Sequence, residues 1–218
     1  MKLLCAVVVS LFVMAPMVEA KPVSIPNETA TLDIPDAWTV KPTPVAASAT
    51  PALTLMATAP DSNSAVEVVV MDNAEGITAD SASFIEGVKN GITKTAAAQN
   101  AALQMGDSST VTLGGVPASL LTYTETAAGG KPVSCHTYAV AANGKMYTIV
   151  AQTVVGTTDT ATPIVNSLAF ASPPALPTPH GDAQAEKYGE IVGFFIFLLA
   201  AFVTIRWIAR LIVRPKKP

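Results

Sequence analysis

Cys135 and His136 are the side-chain types that most readily make a nucleophile and its base, and they stand side by side. They lie in the run VSCHTYAVAA, which predicts a β-strand. Successive strand side chains point to opposite faces, so the two cannot act as a pair, and a lone thiol there is expected as a small buried hydrophobe. His180 sits in a Pro-rich stretch with no second ligand nearby, and two His with one mature Cys scattered this way do not make a zinc site. Asp72-Asn73-Ala74-Glu75-Gly76 resembles a calcium loop until its alternate positions are read. These are Asp72, Ala74 and Gly76, and two of them carry no oxygen ligand, so the stretch is expected to be a solvated turn. Asn27-Glu28-Thr29 is a glycosylation sequon, meaningful only in a eukaryotic secretory route. No catalytic residue, cofactor or metal is therefore expected, and an enzyme is the least supported function.

Charge narrows the partners. Between residues 21 and 180 the basic side chains are six Lys against twelve Asp and Glu, and all three Arg of the chain lie beyond residue 205. Arg supplies the planar fork for bidentate phosphate recognition, so an acidic, Arg-free domain argues against nucleic acid and phosphorylated ligands. It points to neutral or protein partners.

The two ends speak of location. Residues 1–20 have a charged start, an apolar middle and Val18-Glu19-Ala20 as a small-residue cleavage site, which predicts a secretory signal peptide. If it were kept, residues 3–17 would form a second anchor. Cys5 would leave with it, so Cys135 has no intrachain disulfide partner. Residues 188–213 predict a transmembrane helix: 191–205 are uncharged, and Arg206 and Arg210 can snorkel while Trp207 marks the interface. Arg214, Lys216 and Lys217 continue the basic tail of residues 214–218. This bias puts the C-terminus in the cytoplasm and the rest outside, the arrangement of a single-pass protein of a bacterial inner membrane. Gly189 and Gly193 have the spacing of a close helix contact at the outer membrane edge.

Between the ends, residues 21–171 hold enough chain for one domain, with its core expected complete by Ala171. Residues 29–34 alternate as an edge strand leading through Pro35-Asp36 to a packed Trp38. Residues 53–58 and 65–71 predict a hairpin. From 78 to 105 the period turns helical, with Ser83 and Glu86 spaced as a capping box. A four-strand meander follows over 110–113, 118–126, 133–141 and 146–155, and its Asn143-Gly144 turn is the strongest hairpin signal. Residues 159–168 predict a short closing helix, and the Pro-rich stretch at the start of 172–187 an extended spacer holding the domain off the membrane.

The succession TLDIPDAW, a hairpin, a long helix, VTLGGVPASLLTYTE, KPVSCHTYAVAANGKMYTIVAQ and a closing NSLAF resembles the PsbP-like superfamily over residues 29–170. That group includes an extrinsic photosystem subunit, a nuclear-import factor that binds a small GTPase, and many exported bacterial proteins. The resemblance implies an α+β fold, an antiparallel sheet flanked by a long and a short helix, used for binding, with no catalytic residues to carry over. The C-terminal anchor departs from the soluble members. The expected function is a membrane-anchored binding or accessory module serving a membrane complex or envelope process. The alternative is an assembly subunit held mainly by its span.

Overall fold

The computed structural model describes residues 19–42, 52–73, 75–178 and 184–197. Its larger sheet has seven antiparallel strands, β3 (Thr39–Pro42), β4 (Ala52–Thr58), β5 (Ser64–Asp72), β6 (Ala102–Leu113), β7 (Val116–Thr126), β8 (Val133–Ala142) and β9 (Lys145–Val154). They are ordered β3-β4-β5-β9-β8-β7-β6. A smaller sheet orders β1 (Ala20–Ser24), β2 (Ala30–Pro35) and β10 (Ala169–Phe170) as β1-β2-β10. The helices are α1 (Ala82–Ala98), α2 (Thr162–Asn166) and a third, α3, helical over residues 184–197. The fold is α+β, with the meander and the β4–β5 hairpin as the sequence predicts.

Both faces of the large sheet are covered over its central strands. On one side Val66, Val68, Tyr147 and Ile149 meet Leu32 and Ile34 of the small sheet, Trp38, and Ile164 and Val165 of α2. On the other, Val69, Met71, Val150 and Leu121 meet Phe84 and Ile92 of α1 and Ile196 and Phe197 of α3. The central strands are buried nearly end to end, so β5 reads as SAVEVVVMD without polar alternation. Asn143 and Gly144 adopt φ of 54° and 70°, the positive values that a two-residue hairpin turn between twisted strands requires.

Several expectations are corrected. β2 is no edge strand: it runs between β1 and β10. α1 ends at Ala98, where Asn100 turns to φ 52°, and Ala101, Leu103 and Met105 then continue by the strand's period of two instead of the helix's. Its cap is Ser81, whose hydroxyl accepts the Phe84 N–H at 3.2 Å, in place of the Ser83–Glu86 box. α2 is only five residues long. The core is not complete at Ala171, because Ala185, Val192, Ile196 and Phe197 of α3 are buried in it. The spacer does not stand off as a free stalk at its start. Ala175 is tied to the hairpin turn by its carbonyl, which accepts the Asn143 N–H at 2.8 Å, and by its N–H, which donates to Asn143 Oδ1 at 2.8 Å. Residues 184–187, expected as spacer, already belong to α3.

Among the described residues no helix is long and apolar enough to cross a membrane. Residues 1–18 of the expected signal peptide, residues 198–213 of the expected span and the tail 214–218 lie outside the described residues.

Candidate functional site

The strand that carries Cys135 and His136 divides them between the two faces of the large sheet. Cys135 is fully buried on the α1 side, its Sγ 4.0 Å from the Val133 carbonyl oxygen. Burial pushes the thiol well above its ordinary value, and the Glu125 carboxylate adds to the shift, so the thiol stays protonated and unreactive.

His136 faces the other way, into a groove of about 410 Å³ lined by Thr124, Ser134, Thr153, Thr157 and Asp159. Ser134, His136 and Asp159 are the residue types of a hydrolytic triad, but they are wired to other tasks. His136 Nδ1 lies 3.0 Å from the Thr162 hydroxyl, at the first residue of α2. Asp159 Oδ1 accepts the N–H groups of Ala161 and Thr162, both at 3.0 Å, and the Thr153 hydroxyl at 3.2 Å. Burial would raise the Asp159 carboxyl, but the bonds from Thr162, Ala161 and Thr153 outweigh it and hold the group below the usual carboxylate range. Acid and base thus position α2, and among the described residues no hydrogen bond joins Ser134 to His136. Ala151, Val154 and Val155 also line the groove, so its wall mixes hydroxyls, one carboxylate and apolar side chains. The signal in the sequence was Asp159, three residues before Thr162-Pro163 at the start of a helix.

A second polar group lies under α1 and escaped the sequence reading. Glu67 sits in the middle of the apolar β5 and is 0% exposed, with no hydrogen-bond partner for either carboxyl oxygen. Burial raises its pKa to about 8, with help from Glu125, so it is neutral at pH 7. Buried Tyr123, Thr137, Thr148 and Gln152 belong to the same sheet.

Gly189 and Gly193, expected at a contact between spans, face α1 of the same chain. A Cβ at Gly189 would strike the Phe84 carbonyl oxygen and one at Gly193 the Val88 carbonyl oxygen. The relation is mutual, since Cβ atoms at Gly87 and Gly91 would strike the carbonyl oxygens of Glu186 and Glu190. Four glycines let two parallel helices touch backbone to backbone. At the rim Lys94 Nζ meets Glu190 Oε1 at 2.9 Å, and the Tyr188 hydroxyl donates to the Asp72 carbonyl oxygen at 2.6 Å. Asp72 also pairs with Lys145 at 2.7 Å, and Asn73 clasps the backbone N–H and carbonyl of Ile77, so the stretch expected as a solvated turn is a fastened one. Asn27 is exposed at φ 63°. His180, Arg206, Trp207, Arg210, Arg214, Lys216 and Lys217 lie outside the described residues.

No protein-family model matches the chain, and no curated protein sequence does. Solved structures do. The solution structure of cyanobacterial PsbP (CyanoP) from Synechocystis sp. PCC 6803 is similar at a TM-score of 0.55 and 13% identity, over 71% of this chain and 94% of that one. A crystal structure from Bacteroides thetaiotaomicron VPI-5482 is similar at a TM-score of 0.42 and 10% identity, covering 66% of this chain and 46% of that one. A Pseudomonas aeruginosa protein of unknown function, described as a putative regulator, reaches a TM-score of 0.30 at 14% identity, covering 63% of this chain and 84% of that one. The first of these shows that the fold is PsbP-like.

Proposed function

We propose that the chain is a non-catalytic accessory module that binds a protein partner outside the cytoplasm. Residues 188–213 hold it by a single pass in a bacterial inner membrane, and the tail bearing Arg214, Lys216 and Lys217 lies in the cytoplasm. The observation that carries the binding reading is how the residues capable of chemistry are employed. Cys135 is sealed in the core, while His136 and Asp159 fasten α2, so what the fold offers a partner is its surface. The PsbP-like fold agrees with an accessory role. The positive residues that follow the apolar segment support the orientation.

A second reading, an assembly subunit held through its helix, is favoured by α3, whose packing on α1 makes the start of the apolar segment a part of the domain. One experiment separates the two. The protein is purified in mild detergent with whatever accompanies it, as found and with residues 198–213 replaced by an unrelated apolar span of equal length. Retention of the same companion supports the binding module. Its loss, at an unchanged level of folded domain, gives the function to the span.

A further inference from the structure

The surface by which α3 grips α1 is one that lipid would also accept. Val192, Ile196 and Phe197 are buried against the domain, whereas Ile191 and Phe194 on the outer side remain 43% and 45% exposed. Docking therefore leaves two large apolar side chains in water. Insertion into lipid would satisfy them, but it would strip the cover from Gly87, Val88, Gly91 and Ile92 of α1. Neither seat buries all the apolar surface. Length creates the same conflict, because with residues up to 197 on the domain only 198–213 remain for the bilayer. As a helix these would reach about 24 Å, short of the ~30 Å hydrocarbon core.

We propose that residues 184–197 exchange between two seats, the glycine face of α1 and the outer edge of the membrane, so that docking and full insertion exclude each other. This rests on the membrane reading above. The polar contacts that must break are at the rim: the hydrogen bond from the Tyr188 hydroxyl to the Asp72 carbonyl oxygen, and the ion pair of Lys94 with Glu190, whose side chains are 69% and 36% exposed, so that the pair holds little. The docked seat is made by backbone contact at four glycines, which a single larger side chain on α1 removes without changing α3. Insertion uncovers the α1 face and docking covers it, so the chain carries its own competitor for that surface.

The test uses the full chain in cell membranes, with Cys5→Ala and Cys135→Ala as background and Ile191→Cys as reporter. A membrane-impermeant maleimide reaches position 191 when α3 is docked and is shut out when it lies in lipid. Gly91→Leu should slow labelling about tenfold, the change expected when the docked state becomes minor. Unchanged or faster labelling in a domain that still resists protease overturns the exchange. Should Gly91→Leu fail to fold, a second pair decides. Lys94→Cys with Glu190→Cys, joined by a short thiol cross-linker, locks the docked seat while leaving the glycines intact. The locked chain should be released by alkaline carbonate and the unlocked chain retained; equal retention overturns the exchange. Release of the unlocked chain removes the membrane reading, and the exchange with it.

Discussion

Gly91 of α1 and Glu190 of α3 meet backbone to backbone: the glycine faces the glutamate carbonyl oxygen so closely that a methyl group at position 91 would overlap it. Alanine favours an isolated helix over glycine by about 1 kcal/mol, so a free α1 would be stabilised by Gly91→Ala. With α3 in place the sign reverses, and overpacking of this kind costs about 1–3 kcal/mol. Denaturant unfolding of the full chain in mild detergent should show the loss. A gain would mean that the helices are apart in solution.

Where the chain can be cut follows from the same packing. A protein ending at residue 171 loses Ala185, Val192, Ile196 and Phe197 from the core and uncovers α1. Each large side chain removed forfeits about 1.5–3 kcal/mol of burial. Compared with a protein ending at 197, the shorter form should bind a hydrophobic dye and unfold at lower denaturant; equal midpoints would show that the domain does not need α3.

Glu67 makes stability depend on pH in a definite direction. Its pKa is raised from 4.5 in the unfolded chain to about 8 in the fold, so between these values the folded state holds a proton that the unfolded state has released. Stability contributed by the neutral carboxyl is complete below pH 4.5 and falls as pH rises to 8, by on the order of 1.4 kcal/mol per pH unit at most. Glu67→Gln keeps the shape without the ionisation. Its melting temperature should overtake that of the unaltered protein progressively from pH 5 to 8, and parallel profiles would show that the carboxyl is solvated.

Cys135 should ignore thiol reagents. Buried and protonated, it is expected to react at pH 8 only after denaturant is added, and Cys135→Ala should leave partner capture unchanged. Rapid labelling of the folded protein would contradict the packing around β8.

Asp159→Ala should cost about 1–3 kcal/mol, the loss when the Ala161 and Thr162 N–H groups are left without their acceptor, and should loosen α2 first. Amide exchange at Ile164 and Val165 checks this. No change there would detach the groove from the helix it borders.

Legibility followed the range of the forces. Hairpins were readable because local turn chemistry determines them: Asn143-Gly144 needs positive φ whatever surrounds it. The PsbP-like fold was legible as a resemblance, carried by motifs such as TLDIPDAW, the Gly-Gly turn and the closing NSLAF, and Cys135 and His136 fall on opposite faces because alternation in a strand is a local rule. The limits of α1 were not, since Leu103 and Met105 suit a helix or a strand, and only pairing with β7 decides between them. Glu67 was passed over because a carboxylate in a valine run looks like an ordinary alternation defect until both faces of β5 are known to be covered. The seat of Gly189 and Gly193 was read as belonging to another span because the matching glycines, Gly87 and Gly91, lie about a hundred residues earlier. Sequence spacing shows that a helix can be approached closely but is silent on which helix does so.

The double hydrogen bond between Ala175 and Asn143 leaves a short leash. From 176 to 183 there are eight residues before α3, and a chain of that length spans at most about 26–29 Å when fully drawn out. If α3 left α1, it would remain within that radius of the Asn143 hairpin. Under the membrane attachment proposed above, this would cap the domain's ride height over the bilayer, and a partner bound there would have to stand close to the lipid headgroups.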